Sequence, residues 1–93
     1  MKIDKLYAMS SVAWESTIAS LVARDMHGKA KRAARARDAS EREWRAALVA
    51  VRNDDADGAV DSLSRAQSIA KRWAASHNAE RDAVRIARAV VAS

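Results

Sequence analysis

The 93-residue sequence contains no cysteine, no proline, no phenylalanine and only two glycines. Without cysteine the chain can form neither a disulfide framework nor a thiolate metal site, which are the usual supports of small secreted domains. A reducing compartment therefore fits best, and we expect a cytoplasmic protein. Because proline is absent and glycine occurs only at positions 28 and 58, little interrupts helix formation along the chain.

Long apolar runs are missing as well. The N-terminal stretch MKIDKLYAMSSVAWESTIAS has two lysines but no continuous apolar core, because Glu15 and several serines divide it. This pattern is unlike a signal peptide. No segment approaches the roughly 20 apolar residues that a membrane-spanning helix needs. We therefore expect neither secretion nor membrane insertion.

What the chain does contain is abundant alanine and arginine, both strong helix formers, and three apolar stripes with helical spacing. These features predict an all-α fold, more than about 70 per cent helical, in the form of a small bundle of three or four helices. The stripes supply these candidate core or interface residues: Trp14, Ile18, Leu21, Trp44, Leu48, Val51, Leu63, Trp73 and Val84.

The helices are expected to form two long antiparallel arms in a single domain covering residues 1–93. The first arm spans about residues 4–52 and is broken or bent near Gly28 or Ser40, where Ser40 and Glu43 have the spacing of a capping box. An acidic turn at 53–58 reverses the chain. The second arm, about 57–92, is expected to be a continuous or kinked helix, with a break near Ser76 as the alternative.

The three tryptophans, at positions 14, 44 and 73, are nearly evenly spaced. An internal duplication is one explanation. One tryptophan per helix, all meeting in a common core, explains the spacing as well, and we favour this interpretation because a large aromatic residue on an apolar stripe is usually part of the packing.

The small size of the chain favours self-association. A domain of this length buries only about 60 to 65 per cent of its unfolded surface, so two amphipathic arms leave apolar edges that one copy barely covers. We expect a homodimer or a higher homo-oligomer.

The charge is distributed unevenly. Residues 1–23 carry two basic and two acidic groups, residues 24–52 carry nine and four, and residues 53–93 carry six and six, so the net charge of +5 lies in the middle segment. Like charges four residues apart on a helix, such as Lys31 and Arg35, repel each other by a few tenths of a kcal/mol. The cluster at 29–37 therefore favours a nearby anion, with a solvated face that has no partner as the alternative. The candidate contact residues are Lys29, Lys31, Arg32, Arg35, Arg37, Arg42 and Arg45.

Four anions can be considered: nucleic acid, a nucleotide-like ligand, an acidic protein face, and the acidic turn of this chain or of its neighbour. Arginine binds phosphate bidentately, so nucleic acid or a nucleoprotein complex is the first hypothesis. The second is a regulator or counter-defence inhibitor that docks on an acidic protein, of the size and charge of small phage-encoded proteins. The third is an oligomeric sponge for a small anionic ligand.

Motifs for metal or catalytic chemistry are weak. Asp55, Asp57 and Asp61 fall on positions of an EF-hand calcium loop, but the last position, which needs a bidentate glutamate, is Ser64. An acidic helix start explains these residues better, and we expect no metal. His77 and Glu80 share a helical face, yet no nucleophile can be placed beside them. We expect no cofactor and no enzymatic activity.

Overall fold

The computed structural model describes residues 2–92, which form four α-helices and no strand. The helices are α1 (Lys2–Ala23), α2 (His27–Arg52), α3 (Ala56–Trp73) and α4 (His77–Ala92). The all-α prediction is therefore confirmed. None of these helices is both long enough and apolar enough to cross a membrane.

The helices run alternately up and down, and each packs mainly against its two neighbours in the ring α1–α2–α3–α4. The bundle measures 47 × 17 × 16 Å. Because α4 has only 16 residues and Glu80 lies level with Ser10, α4 covers the first half of α1. One half of the molecule is thus a four-helix bundle, whereas the end that contains the α1–α2 turn is built from α1, α2 and the end of α3.

Three short turns join the helices, and left-handed residues reverse the chain in each. Asp25 and Asp54 have φ values of 59° and 57°, a conformation that aspartate tolerates better than most residues. The first arm is broken near Gly28, as expected, although Gly28 itself lies inside the first turn of α2. The break falls just before it, at residues 24–26.

The alternative break near Ser40 is wrong, because α2 runs through this residue without interruption. Ser40 is only 1% exposed and faces the bundle together with Ala33 and Trp44. The Glu43 carboxylate binds Arg65 of α3 at 2.6 Å. A capping box contributes about 1 kcal/mol, which is less than the burial of this helical face contributes.

The second arm is two helices, so the continuous-helix interpretation is wrong and the alternative break is close to the observed one. Ala74 ends α3 in a left-handed conformation, and the Ala75 N–H donates to the Ala70 carbonyl. The Ser76 hydroxyl then donates to the Ser10 carbonyl at 2.9 Å, which ties the turn to α1. Folding back allows α4 to bury its alanine stripe, Ala79, Ala83 and Ala87.

The tryptophans do not meet in one core. Trp44 belongs to the large cluster of the four-helix half, where its ring stacks on Tyr7 with a centroid distance of 5.4 Å. Trp14 lies in a second cluster, and half-buried Trp73 bridges the second and a third. Of the candidate core residues, five are buried, namely Trp14, Leu21, Trp44, Val51 and Leu63, and four are half-buried against the clusters, namely Ile18, Leu48, Trp73 and Val84.

Candidate anion-binding surface

Four of the five cations between residues 29 and 37 are exposed on α2: Lys29, Lys31, Arg32 and Arg35. Within residues 2–92, none of the four has a carboxylate partner within 4 Å. Since α2 buries Ala33, Ser40 and Trp44, the helical repeat places Lys31, Arg35 and Arg42 on the opposite face, within about 40° of one another. These three side chains point into solvent along about 16 Å of helix.

Lys29 and Arg32 lie on the side of α2 that faces α3. Together with Ala36, Arg72 and Trp73 they line a surface cleft of about 430 Å³. Arg72 therefore joins the cluster from a second helix. We call Lys29, Lys31, Arg32, Arg35 and Arg72 the basic end.

Sequence reasoning missed Arg72, although a signal was present. Lys71 and Arg72 form a basic last turn of α3, and such a turn is also explained by the negative end of the helix dipole. The cleft is created by tertiary packing, because α3 runs antiparallel to α2 and returns its last turn to the start of that helix. No local pattern connects positions so far apart in the chain.

The start of α2 is itself positively polarised. Met26 provides no side-chain cap, and the first turn contains no acidic residue. Lys29 and Lys31 therefore add to the positive end of the helix dipole instead of compensating it, at a cost of a few tenths of a kcal/mol each. Gly28 leaves the backbone accessible, since a Cβ added there would meet no atom within 4 Å. Helix starts of this kind attract anions.

Two of the candidate contact residues are engaged within the chain. The Arg37 guanidinium pairs with Glu15 of α1 at 2.8 Å and with Asp38 at 3.2 Å. Arg45 pairs with Glu41 at 3.1 Å. Both arginines lie on the α1 side of α2, where acidic groups neutralise them. Among the candidate contact residues, the free charge is therefore at the basic end and at Arg42.

The acidic turn of the same chain is too far away to neutralise this charge. It follows the last residue of α2, whereas the basic end surrounds the first turns, and 26 helical residues extend about 39 Å. Asp55 caps α3, because its side chain accepts a hydrogen bond from the Gly58 N–H at 2.9 Å. Residues 2–92 contain no cluster of three or more histidine, aspartate or glutamate side chains arranged to hold a metal.

Within residues 2–92, His77 and Glu80 are not hydrogen-bonded to each other. Glu80 is completely buried, and its Oε1 accepts hydrogen bonds from Ser10 Oγ at 2.6 Å and from Trp44 Nε1 at 3.1 Å. Burial raises the pKa of this carboxyl, and the two hydrogen bonds partly oppose the shift. Glu80 therefore joins α4 to α1 and α2 inside the four-helix half.

Comparison with protein-family models, curated proteins and solved structures gives no significant match. The function must therefore be argued from the residues of this chain.

Proposed function

We propose that this protein is a non-enzymatic binding protein whose basic end docks on the phosphate backbone of nucleic acid, free or within a nucleoprotein complex. The observation that carries the proposal is the set of five exposed cations near the uncapped start of α2, which have no carboxylate partner within 4 Å among residues 2–92. The only acidic residue of the adjoining turn, Asp25, lies 2.8 Å from the His27 imidazole.

The chemistry of the basic end favours phosphate over a carboxylate surface. Three of its five residues are arginines, whose planar guanidinium binds phosphate bidentately. Cations on two helices flank one cleft, and Arg42 extends the exposed row along α2. Helix α2 contains no asparagine or glutamine, the residues that pair with adenine edges, so we expect contacts to the backbone and little preference for sequence.

The test is a charge-removal variant, Lys31→Gln/Arg32→Gln/Arg35→Gln. Glutamine has a helix propensity similar to that of lysine and arginine, so α2 should remain folded. We expect affinity for a fluorescent duplex of about 20 base pairs to fall at least tenfold at low salt, and the slope of log affinity against log salt to become shallower by about two to three.

The matched control is Lys5→Gln/Arg81→Gln/Arg88→Gln, which removes three exposed charges from α1 and α4. It has the same net charge as the test variant but keeps the basic end. If both triple variants lose affinity equally, the binding follows net charge alone and the proposal is wrong. If neither loses affinity, the basic end does not contact the duplex.

Head-to-tail assembly is the second candidate, because the bundle has a basic end and, at the far end of α2, exposed Asp54 and Asp57. Helix α1 also exposes Met9 and Val12, at 54% and 69%. Sedimentation at micromolar concentration distinguishes the candidates. If the protein assembles head to tail, the wild type is oligomeric and the variant Lys31→Gln/Arg32→Gln/Arg35→Gln is monomeric. If it only binds nucleic acid, the wild type and the variant have the same oligomeric state.

A further inference from the structure

A second feature is independent of the basic end. A cavity of about 180 Å³ lies between α1 and α2, on the side of Arg37 and Glu41. Trp14, Ser40, Tyr7 and Trp44 contribute to its lining. It is close in size to an engineered cavity of about 150 Å³ that holds benzene.

Two residues of this lining each carry a buried polar atom that has no hydrogen-bond partner within the described chain: Trp14 Nε1 and Ser40 Oγ. Both residues are only 1% exposed. Their neighbours are paired, since Trp44 Nε1 and Ser10 Oγ both donate to Glu80. An unpaired buried donor costs about 1 to 3 kcal/mol, so these two atoms mark the place where an occupant would gain most from hydrogen bonding.

The chemistry of the two atoms restricts the occupant. An indole N–H only donates, so it requires an acceptor, and the serine hydroxyl can donate to the same acceptor or accept from an adjacent N–H. The aromatic rings of Trp14, Trp44 and Tyr7 favour a flat molecule.

The charge of the lining restricts the occupant further. It includes three acidic groups, Glu15, Asp38 and Glu41, against the single cation Arg37. An anion is therefore disfavoured.

We propose that this cavity binds a small, flat, uncharged molecule whose carbonyl oxygen accepts a hydrogen bond from the Trp14 indole N–H. The site lies on the α1 side of α2, whereas the cleft of Lys29 and Arg32 lies on the α3 side. Its occupation does not depend on the proposed contact with nucleic acid.

Benzamide, benzoate and toluene are suitable probes, because they share one ring and differ in the polar group. The three tryptophans give three indole N–H signals in a ¹H–¹⁵N NMR spectrum of the full chain. We expect about 10 mM benzamide to shift the Trp14 signal and leave that of Trp73 in place. Benzoate and toluene should bind at least tenfold more weakly, because the first carries a charge and the second offers no acceptor.

Ser40→Ala should weaken benzamide binding about three- to tenfold, the usual effect of losing one hydrogen bond. The matched control is Ser62→Ala, which changes a buried serine of α3 outside the cavity and should leave binding intact. The inference is overturned if benzamide does not shift the Trp14 signal, whether or not that proton shows a lasting contact with water. It is also overturned if toluene binds as tightly as benzamide, or if the two serine variants bind alike.

Discussion

Charged side chains have different surroundings in the two halves of this bundle. In the four-helix half the buried carboxyl of Glu80 receives two hydrogen bonds, from Ser10 and Trp44, which lie on two other helices. At the other end, Lys29, Lys31, Arg32 and Arg35 are exposed and have no acidic partner in the described chain. One arrangement joins helices to each other, whereas the other leaves its charge available to a partner.

The difference shows which charges serve stability. The hydrogen bonds to Glu80 offset part of the cost of burying its carboxyl, because an unpaired buried group is costly. A cation in water contributes little to stability whether or not it is paired. We therefore expect substitutions in the four-helix half to change the free energy of unfolding, and substitutions at the basic end to change binding.

The largest expected effect concerns the tryptophans. Trp44→Ala should lower the free energy of unfolding by about 3 to 5 kcal/mol, because this ring is fully buried and stacked on Tyr7. Trp73→Ala, at a half-buried ring beside the basic end, should cost about half as much or less. Urea denaturation of both variants measures the difference. Equal losses would show that the two halves are equally well packed.

The second largest expected effect on the free energy of unfolding comes from removing the buried carboxyl of Glu80. Glu80→Ala removes the acceptor of Ser10 and Trp44 and leaves both donors unpaired, so we expect a loss of about 2 to 4 kcal/mol in the free energy of unfolding. Glu80→Gln retains an acceptor oxygen and should lose less. If Glu80→Gln were as damaging as Glu80→Ala, the hydrogen bonds of Oε1 would not be the stabilising contact.

A smaller expected effect is the pH dependence of stability, which reports on the charge of Glu80 and not on its hydrogen bonds. Because burial raises the pKa of this carboxyl, the folded protein holds the proton more tightly than the unfolded chain does. This group therefore favours folding at low pH, and its contribution is lost as pH rises through the folded-state pKa.

Relative to the wild type, Glu80→Gln should gain stability as pH rises above the ordinary glutamate pKa of about 4.3, as followed by thermal unfolding. The equivalent change of a carboxylate to an amide at an exposed site, Asp61→Asn, measures the general effect of removing a negative charge. If the difference in stability between the wild type and Glu80→Gln did not change with pH, the raised pKa of Glu80 would be contradicted.

The smallest effect tests the basic end. Lys29→Glu places an acid in the first turn of α2 and should stabilise the protein by about 0.5 kcal/mol through the helix dipole, while it weakens duplex binding. Lys71→Glu makes the same charge change in the last turn of α3 and should destabilise by a similar amount. If Lys29→Glu lowered stability, the positive charge at this position would be structural.

Local sequence patterns were sufficient for the helix content, the acidic turn and the clustering of positive charge. They were insufficient at Ser40 and at Ala74, where two locally acceptable conformations compete. At Ser40 the burial of a long α2 face prevails over a capping box of about 1 kcal/mol. At Ala74 the chain adopts a left-handed residue because folding back lets α4 cover α1 and α3.

The sequence by itself determined that the chain is helical and that its excess positive charge lies between residues 24 and 52, since propensity and charge are properties of neighbouring residues. Only the tertiary structure decided which of these cations are free. The helical repeat places Arg35 and Arg37 on different faces of α2, but only the fold shows that Arg37 faces Glu15 of α1 and that Arg35 faces solvent. Likewise, the placement of Arg72 beside Arg32 and the burial of Glu80 depend on helices that meet only after the chain has folded.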